Sequence, residues 1–219
     1  MLLKLTNILI FGDSISAGQY VEPKYHFSES LRNFLRDEFA NVHLDVVAKS
    51  GQTSRQALLH FPDSVNEYPV DILFVQLGIN DANYWDSEGG RHPRVSLGAF
   101  TENCKEIVDR AVLSGVGQIR LFTSHKLEKM VMKNGKQVQL NELVKPYNDA
   151  IIKICLEGIS NLKVFDIQKA WSELPEIIQR ESLIPNDGVH LSIKGHEIYS
   201  DLLAKLIRAD SELNLGKLK

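Results

Sequence analysis

Five short apolar runs, each separated from the next by a longer stretch of helical spacing, restrict this chain to very few folds. The runs lie at 8–11, 44–47, 72–75, 119–122 and 162–165. Apolar runs of this length read as strands buried on both faces. Phe27, Leu31, Phe34 and Leu35 recur at helical spacing between the first two. Leu97, Phe100, Cys104, Ile107, Val108 and Ala111 do the same after the third, and Val144, Tyr147, Ile151 and Ile154 after the fourth. Ile193, Ile198, Leu202 and Ile207 mark a closing helix. Such alternation implies right-handed crossovers and a parallel sheet covered on both faces, a three-layer α/β/α sandwich. With no repeat and no linker, residues 1–219 read as a single domain. Stretches 20–26, 82–94 and 124–139 are expected to be irregular, and long loops of that kind often carry function.

Composition narrows the function. Lys plus Arg number 25 against 28 Asp plus Glu, a net charge of −3, which offers nucleic acid no basic footprint. No apolar run is long enough to span a bilayer. Cys104 and Cys155 both fall in helical apolar patterns and read as buried free thiols. Together with a short, uncleaved-looking N-terminus, they point to the cytoplasm.

Ligands of an open parallel sheet bind at the carboxyl ends of its strands. The residues there are Gly12-Asp13-Ser14, Ser50-Gly51-Gln52, Gly78-Ile79-Asn80-Asp81, Ser124-His125 and, beyond the last strand, Asp187-Gly188-Val189-His190. A serine, a glycine amide, an asparagine amide and an Asp/His pair are the parts of nucleophilic acyl transfer. Ser14, at a tight turn expected to open a helix, would attack. His190 would take its proton, because imidazole exchanges protons readily near neutral pH. Asp187, three residues earlier, can hold the imidazole by Nδ1. The Ser14 and Gly51 backbone N–H groups and the Asn80 side chain are natural oxyanion donors. Other motifs fail on spacing. Gly12 and Gly18 fit neither a P-loop nor G-x-G-x-x-G, and Gly12-x-Ser14-x-Ser16 lacks the second glycine of a nucleophile elbow. No histidine has metal-ligand spacing, so neither metal nor cofactor is expected.

In order, Gly12-Asp13-Ser14-Ile15, Gly51, Gly78-x-Asn80-Asp81 and Asp187-x-x-His190 resemble the four blocks of the SGNH (GDSL-type) hydrolase family. Ile15 stands where leucine is commonest, a conservative departure. The resemblance spans residues 8–200 and implies a flavodoxin-like five-stranded sheet. It also implies a Ser14–His190–Asp187 triad and an oxyanion hole of Ser14, Gly51 and Asn80. The family's chemistry is ester cleavage. Its range runs from short-chain esterases to carbohydrate O-acetylesterases, and the same scaffold can serve acyl transfer or, stripped of its chemistry, mere binding. The expected partner is a small-molecule ester, with no nucleic acid and no integral membrane association; the oligomeric state stays open.

Other residues near the edge have supporting parts. Asp13 and Asp81 are expected to hold their loops through local hydrogen bonds. His196 is expected to be structural. His125 reads either as a surface residue or as a border of the site. Tyr84 and Trp85, just beyond Asn80, read as pocket wall or as core. Lys126, Lys129, Lys133, Lys136 and Lys145 outnumber Glu128 and Glu142, a local positive excess suited to a polar or anionic ester. No continuous apolar stretch offers a channel for a long acyl chain.

Overall fold

The computed structural model describes residues 5–66, 69–84 and 92–216. All five expected strands form. They are β1 (Thr6–Gly12), β2 (Val42–Ala48), β3 (Ile72–Gln76), β4 (Gln118–Phe122) and, last in the chain, Leu162–Phe165. That last strand is β7, because the hairpin strands β5 (Met130–Lys133) and β6 (Lys136–Gln139) precede it. The sheet runs β2-β1-β3-β4-β7, parallel throughout. This is the flavodoxin-like order, with its switch point between β1 and β3. Gly12 and Gln76 pair at that point, so the segments after them diverge around one crevice. A Cβ on Gly12 would lie 2.4 Å from Ser16 Oγ and 3.0 Å from the Gln76 carbonyl, a fit that only glycine allows.

Helices cover both faces. Helix α1 (Phe27–Glu38) packs on α8 (Ile193–Ala209). On the other face α2 (Ser54–Asn66) packs on α4 (Leu97–Leu113), which packs on α5 (Leu140–Cys155). The buried apolar residues of α1 and α4 are those that the spacing selects, except that Phe34 is half-buried and Leu97 is exposed. Cys104 is buried as expected, whereas Cys155 is only half-buried at the end of α5. Short helices α3 (Ile79–Ala82), α6 (Ile167–Ser172) and α7 (Glu176–Glu181) complete the set.

Three local expectations need correction. Ser14 does not open a helix: residues 14–20 form successive turns, and α1 begins only at Phe27. Stretch 124–139 is irregular only as far as Lys129; beyond it β5 and β6 pair antiparallel across Asn134-Gly135, both with positive φ. Asn-Gly is the sequence signal for such a hairpin. Helix α2, which the apolar spacing does not mark, continues through Pro62. Proline removes the N–H that would bond the carbonyl four residues back. That carbonyl, on Leu58, instead accepts from Arg110 Nη1 of α4 at 3.2 Å.

Candidate active site

At the crevice Ser14, His190 and Asp187 form one chain of contacts, and Asn80 lies against Asp13. Ser14 leaves β1 on a turn closed by hydrogen bonds from Ala17 N to Asp13 O and from Gln19 N to Ser14 O. Its Oγ lies 2.9 Å from His190 Nε2. His190 Nδ1 lies 2.8 Å from Asp187 Oδ2. The same Asp187 oxygen accepts from His190 N at 2.7 Å and from Val189 N at 3.1 Å, so carboxylate, loop and ring fix one another. Burial raises the Asp187 pKa, but these bonds and the nearby His190 charge outweigh it and hold the carboxyl below its ordinary value.

The loop is tied at its base and along its back. Leu183 and Leu191 bridge, and Ile184 N donates to His190 O at 2.9 Å. From the hairpin side, Glu128 N donates to Gly188 O at 2.8 Å. Gly188 has φ 66°, and a Cβ there would meet Lys129 N at 2.8 Å, so this backbone approach requires glycine.

The expected donors Asn80 and Gly51 come after separate strands. Asn80 follows β3 in α3, and its Nδ2 lies 3.4 Å from Asp13 Oδ2, while its Oδ1 accepts from Arg94 Nη1 at 3.4 Å. The guanidinium and the Asp13 carboxyl thus hold the amide from its two ends. Gly51 has φ 77°, open space where a Cβ would stand, and a cleft of about 290 Å³ beside it. Lys49, Ser50, Gln52, Gln56, Leu59 and His60 line that cleft. Among the described residues no group of His, Cys, Asp and Glu could hold a metal ion. A hydroxyl bonded to an imidazole that is bonded to a carboxylate can deliver an alkoxide equivalent to a carbonyl.

Residues 10–198 match the model of the GDSL-like lipase/acylhydrolase family. The chain belongs to that family. It is an ester-hydrolysing enzyme. No curated protein sequence matches it. Its fold is similar to a lipase/acylhydrolase from Enterococcus faecalis, at 21% identity and TM-score 0.71 over 98% of this chain and 100% of the other. It also resembles a psychrotrophic esterase from a Pseudoalteromonas species, at 18% identity and TM-score 0.70 over 93% and 97% of the two chains. An acetylxylan esterase from Geobacillus stearothermophilus is similar at 19% identity and TM-score 0.68, over 96% and 94%. No helix among the described residues of this GDSL-like hydrolase is long and apolar enough to cross a membrane.

Several outer residues of the hydrolase differ from expectation. His125 is not a surface residue: it is 1% exposed, its ring tilted against Trp171 with centroids 5.0 Å apart. Its Nε2 lies 2.9 Å from the Val189 carbonyl, so it braces the Asp187–His190 loop from beneath. Tyr84 is buried, in an isolated bridge with Pro93. Trp85 lies outside the described residues. Asp13 bonds locally through Oδ1, which accepts from Ile15 N at 3.0 Å, while its Oδ2 faces Asn80 Nδ2 67 residues away. Asp81 does not bond locally: it accepts from Ser54 N and, at 2.5 Å, from Ser54 Oγ, 27 residues away at the start of α2. His196 is structural, its Nδ1 accepting from Phe27 N. Tyr20, which sequence reasoning missed, sets its ring edge-on to His190.

Burial makes this edge sensitive to pH in two opposed ways. It pushes Asp13 up to about 7 and Asp81 up to about 6, and it pushes His125 and His196 down to about 4. A histidine depressed in the fold loses stability as pH falls below 6.5; a carboxyl raised in the fold loses it as pH climbs above 3.8. Between pH 4 and 6 (the range common to all four shifts) two protons taken up on unfolding meet two released, and the wild-type profile is expected to be nearly flat. Asp81→Asn removes one carboxyl contribution. Its unfolding free energy should then rise by about 1.4 kcal/mol per pH unit over that range. Urea melts at several pH values check this, and a flat profile for the variant would contradict it.

Proposed function

We propose that this hydrolase cleaves short-chain or polar carboxylic esters through an acyl-enzyme on Ser14. The observation that carries the reading is the unbroken contact from Ser14 Oγ through His190 to Asp187. His190 Nε2 takes the hydroxyl proton as Oγ attacks the carbonyl carbon. The carbonyl π pair moves onto oxygen, where the N–H groups of Ser14, Gly51 and Asn80 Nδ2 receive it. As the C–O bond to the alcohol breaks, His190 returns its proton to the leaving oxygen. Water, deprotonated by His190, then attacks the acyl group, and the carboxylic acid leaves with Ser14 restored. Asp187 stays ionised and holds the Nδ1–H tautomer throughout.

The small cleft beside Gly51, about 290 Å³, favours a short acyl group over a long chain, and an acetylated carbohydrate is the second reading on the same ground. The half-buried and buried free thiols of Cys155 and Cys104 fit a reducing, cytoplasmic compartment. p-Nitrophenyl esters of increasing chain length, assayed with wild type and Asn80→Ala, test the proposal. Wild-type kcat/KM should fall beyond the shortest acyl groups. Asn80→Ala should lower kcat by about 10²–10³ with KM little changed, because the amide meets charge present mainly in the transition state. A pure KM effect would make Asn80 a ground-state contact instead, and a preference for long chains would overturn the substrate class. Product analysis with an added acceptor alcohol separates hydrolysis from transfer.

A further inference from the structure

Tyr20 opposes two folding preferences at once. Its side chain is 71% exposed, and its backbone is left-handed at φ 72°, a region that bulky residues avoid. Strain of this kind persists where neighbours impose it, and it clusters at functional sites. Here the neighbours are visible. The turn that begins at Ser14 closes with bonds from Gly18 N to Ile15 O and from Val21 N to Gly18 O. Behind it, His26 Nε2 lies 2.8 Å from the Val21 carbonyl. Gly18 sits so near the His26 ring that a Cβ would come within 2.3 Å of Nε2. Braced in this way, the bend carries the Tyr20 ring out beside His190, with centroids 5.0 Å apart and planes at 88°.

The position matters for chemistry. His190 Nε2 must reach the departing alcohol oxygen to protonate it, so the alcohol portion of the ester has to pass beside the imidazole. The acyl portion stays with Ser14 and the oxyanion donors. An exposed aromatic ring next to the imidazole therefore meets the leaving group rather than the acyl group. We infer that Tyr20 is a specificity residue that receives a ring-shaped leaving alcohol, a sugar or an aryl group, on its phenol ring. The inference rests on the Ser14 acyl-enzyme proposed above.

Acylation involves the leaving alcohol, and deacylation does not. That difference separates binding of the alcohol from positioning of His190, which serves both steps. Wild type, Tyr20→Gly and Tyr20→Phe are compared on ethyl acetate, phenyl acetate and an acetylated methyl xylopyranoside, with deacylation of the shared acetyl-enzyme followed separately. In Tyr20→Gly, kcat/KM for a ring acetate should fall about tenfold relative both to ethyl acetate and to deacylation, the scale of one aromatic contact. Tyr20→Phe, which keeps the ring, should restore most of that loss. The thermal midpoint of Tyr20→Gly should not drop, because glycine accepts the left-handed backbone. A selective loss with phenyl acetate, with the xyloside, or with both supports the assignment and names the source of the ring. Equal losses on all three esters with slowed deacylation would overturn it in favour of His190 positioning, and unchanged ratios would overturn it outright. A wild-type enzyme that forms no acetyl-enzyme would instead defeat the underlying acyl-enzyme reading.

Discussion

Ser14→Ala is expected to lower kcat for every ester by about 10⁴–10⁶ while leaving the fold intact. Alanine removes one oxygen from a turn whose backbone bonds, Ala17 N to Asp13 O and Gln19 N to Ser14 O, do not involve the hydroxyl. The hydroxyl's partner is His190 Nε2, which keeps its anchor on Asp187. Without Oγ no acyl-enzyme can form, and the residual rate comes from oxyanion binding and the base acting on water. Thermal melts and circular dichroism matching wild type would confirm that the loss is chemical. A folded Ser14→Ala enzyme with wild-type turnover would refute the nucleophile.

The second large effect is expected at Asp187. Its Oδ2 serves three donors at once: the His190 ring and the backbone N–H groups of His190 and Val189. Asp187→Asn removes the charge and offers the ring either a neutral acceptor or an N–H donor. If the amide N–H faces the ring, His190 must take the other tautomer, with its proton on Nε2, and can no longer accept one from Ser14. A loss of about 10³–10⁴ in kcat is expected, with KM nearly unchanged. Stability should change less, because the loop is also held by the Leu183–Leu191 bridge and by Glu128 N on Gly188 O. A loss below tenfold would mean that His190 is oriented by other contacts, His125 beneath Val189 foremost among them.

The strands and long helices were readable because burial follows a period along the chain. A run such as Ile72–Gln76, buried at every position, leaves no doubt about its place in the sheet. The motif blocks were readable for a related reason: in a parallel sheet each strand delivers the residues that follow it to the same edge. What depends on distant pairs was hidden. His125 reaches Val189 across 64 residues, and no local pattern at 125 tells of it. The same holds for Asp81, whose partner Ser54 lies in a helix that the apolar spacing does not mark. Tyr20 was overlooked because a single aromatic in a turn has no period, and its neighbour His190 is far along the chain. The hairpin is a different case. Asn134-Gly135 is its local signal, and the flanking strands, Met130–Lys133 and Lys136–Gln139, are too short and polar to stand out as apolar runs.

Covalent capture tests the central claim most directly. An alkyl fluorophosphonate should add once per chain, because attack by an activated serine expels fluoride and leaves a stable phosphonyl ester in place of the acyl group. Intact-mass measurement followed by peptide mapping is expected to place that single adduct on Ser14, with none formed in Ser14→Ala and slow labelling in His190→Ala. An adduct on another residue, or labelling that persists undiminished in Ser14→Ala, would contradict the account.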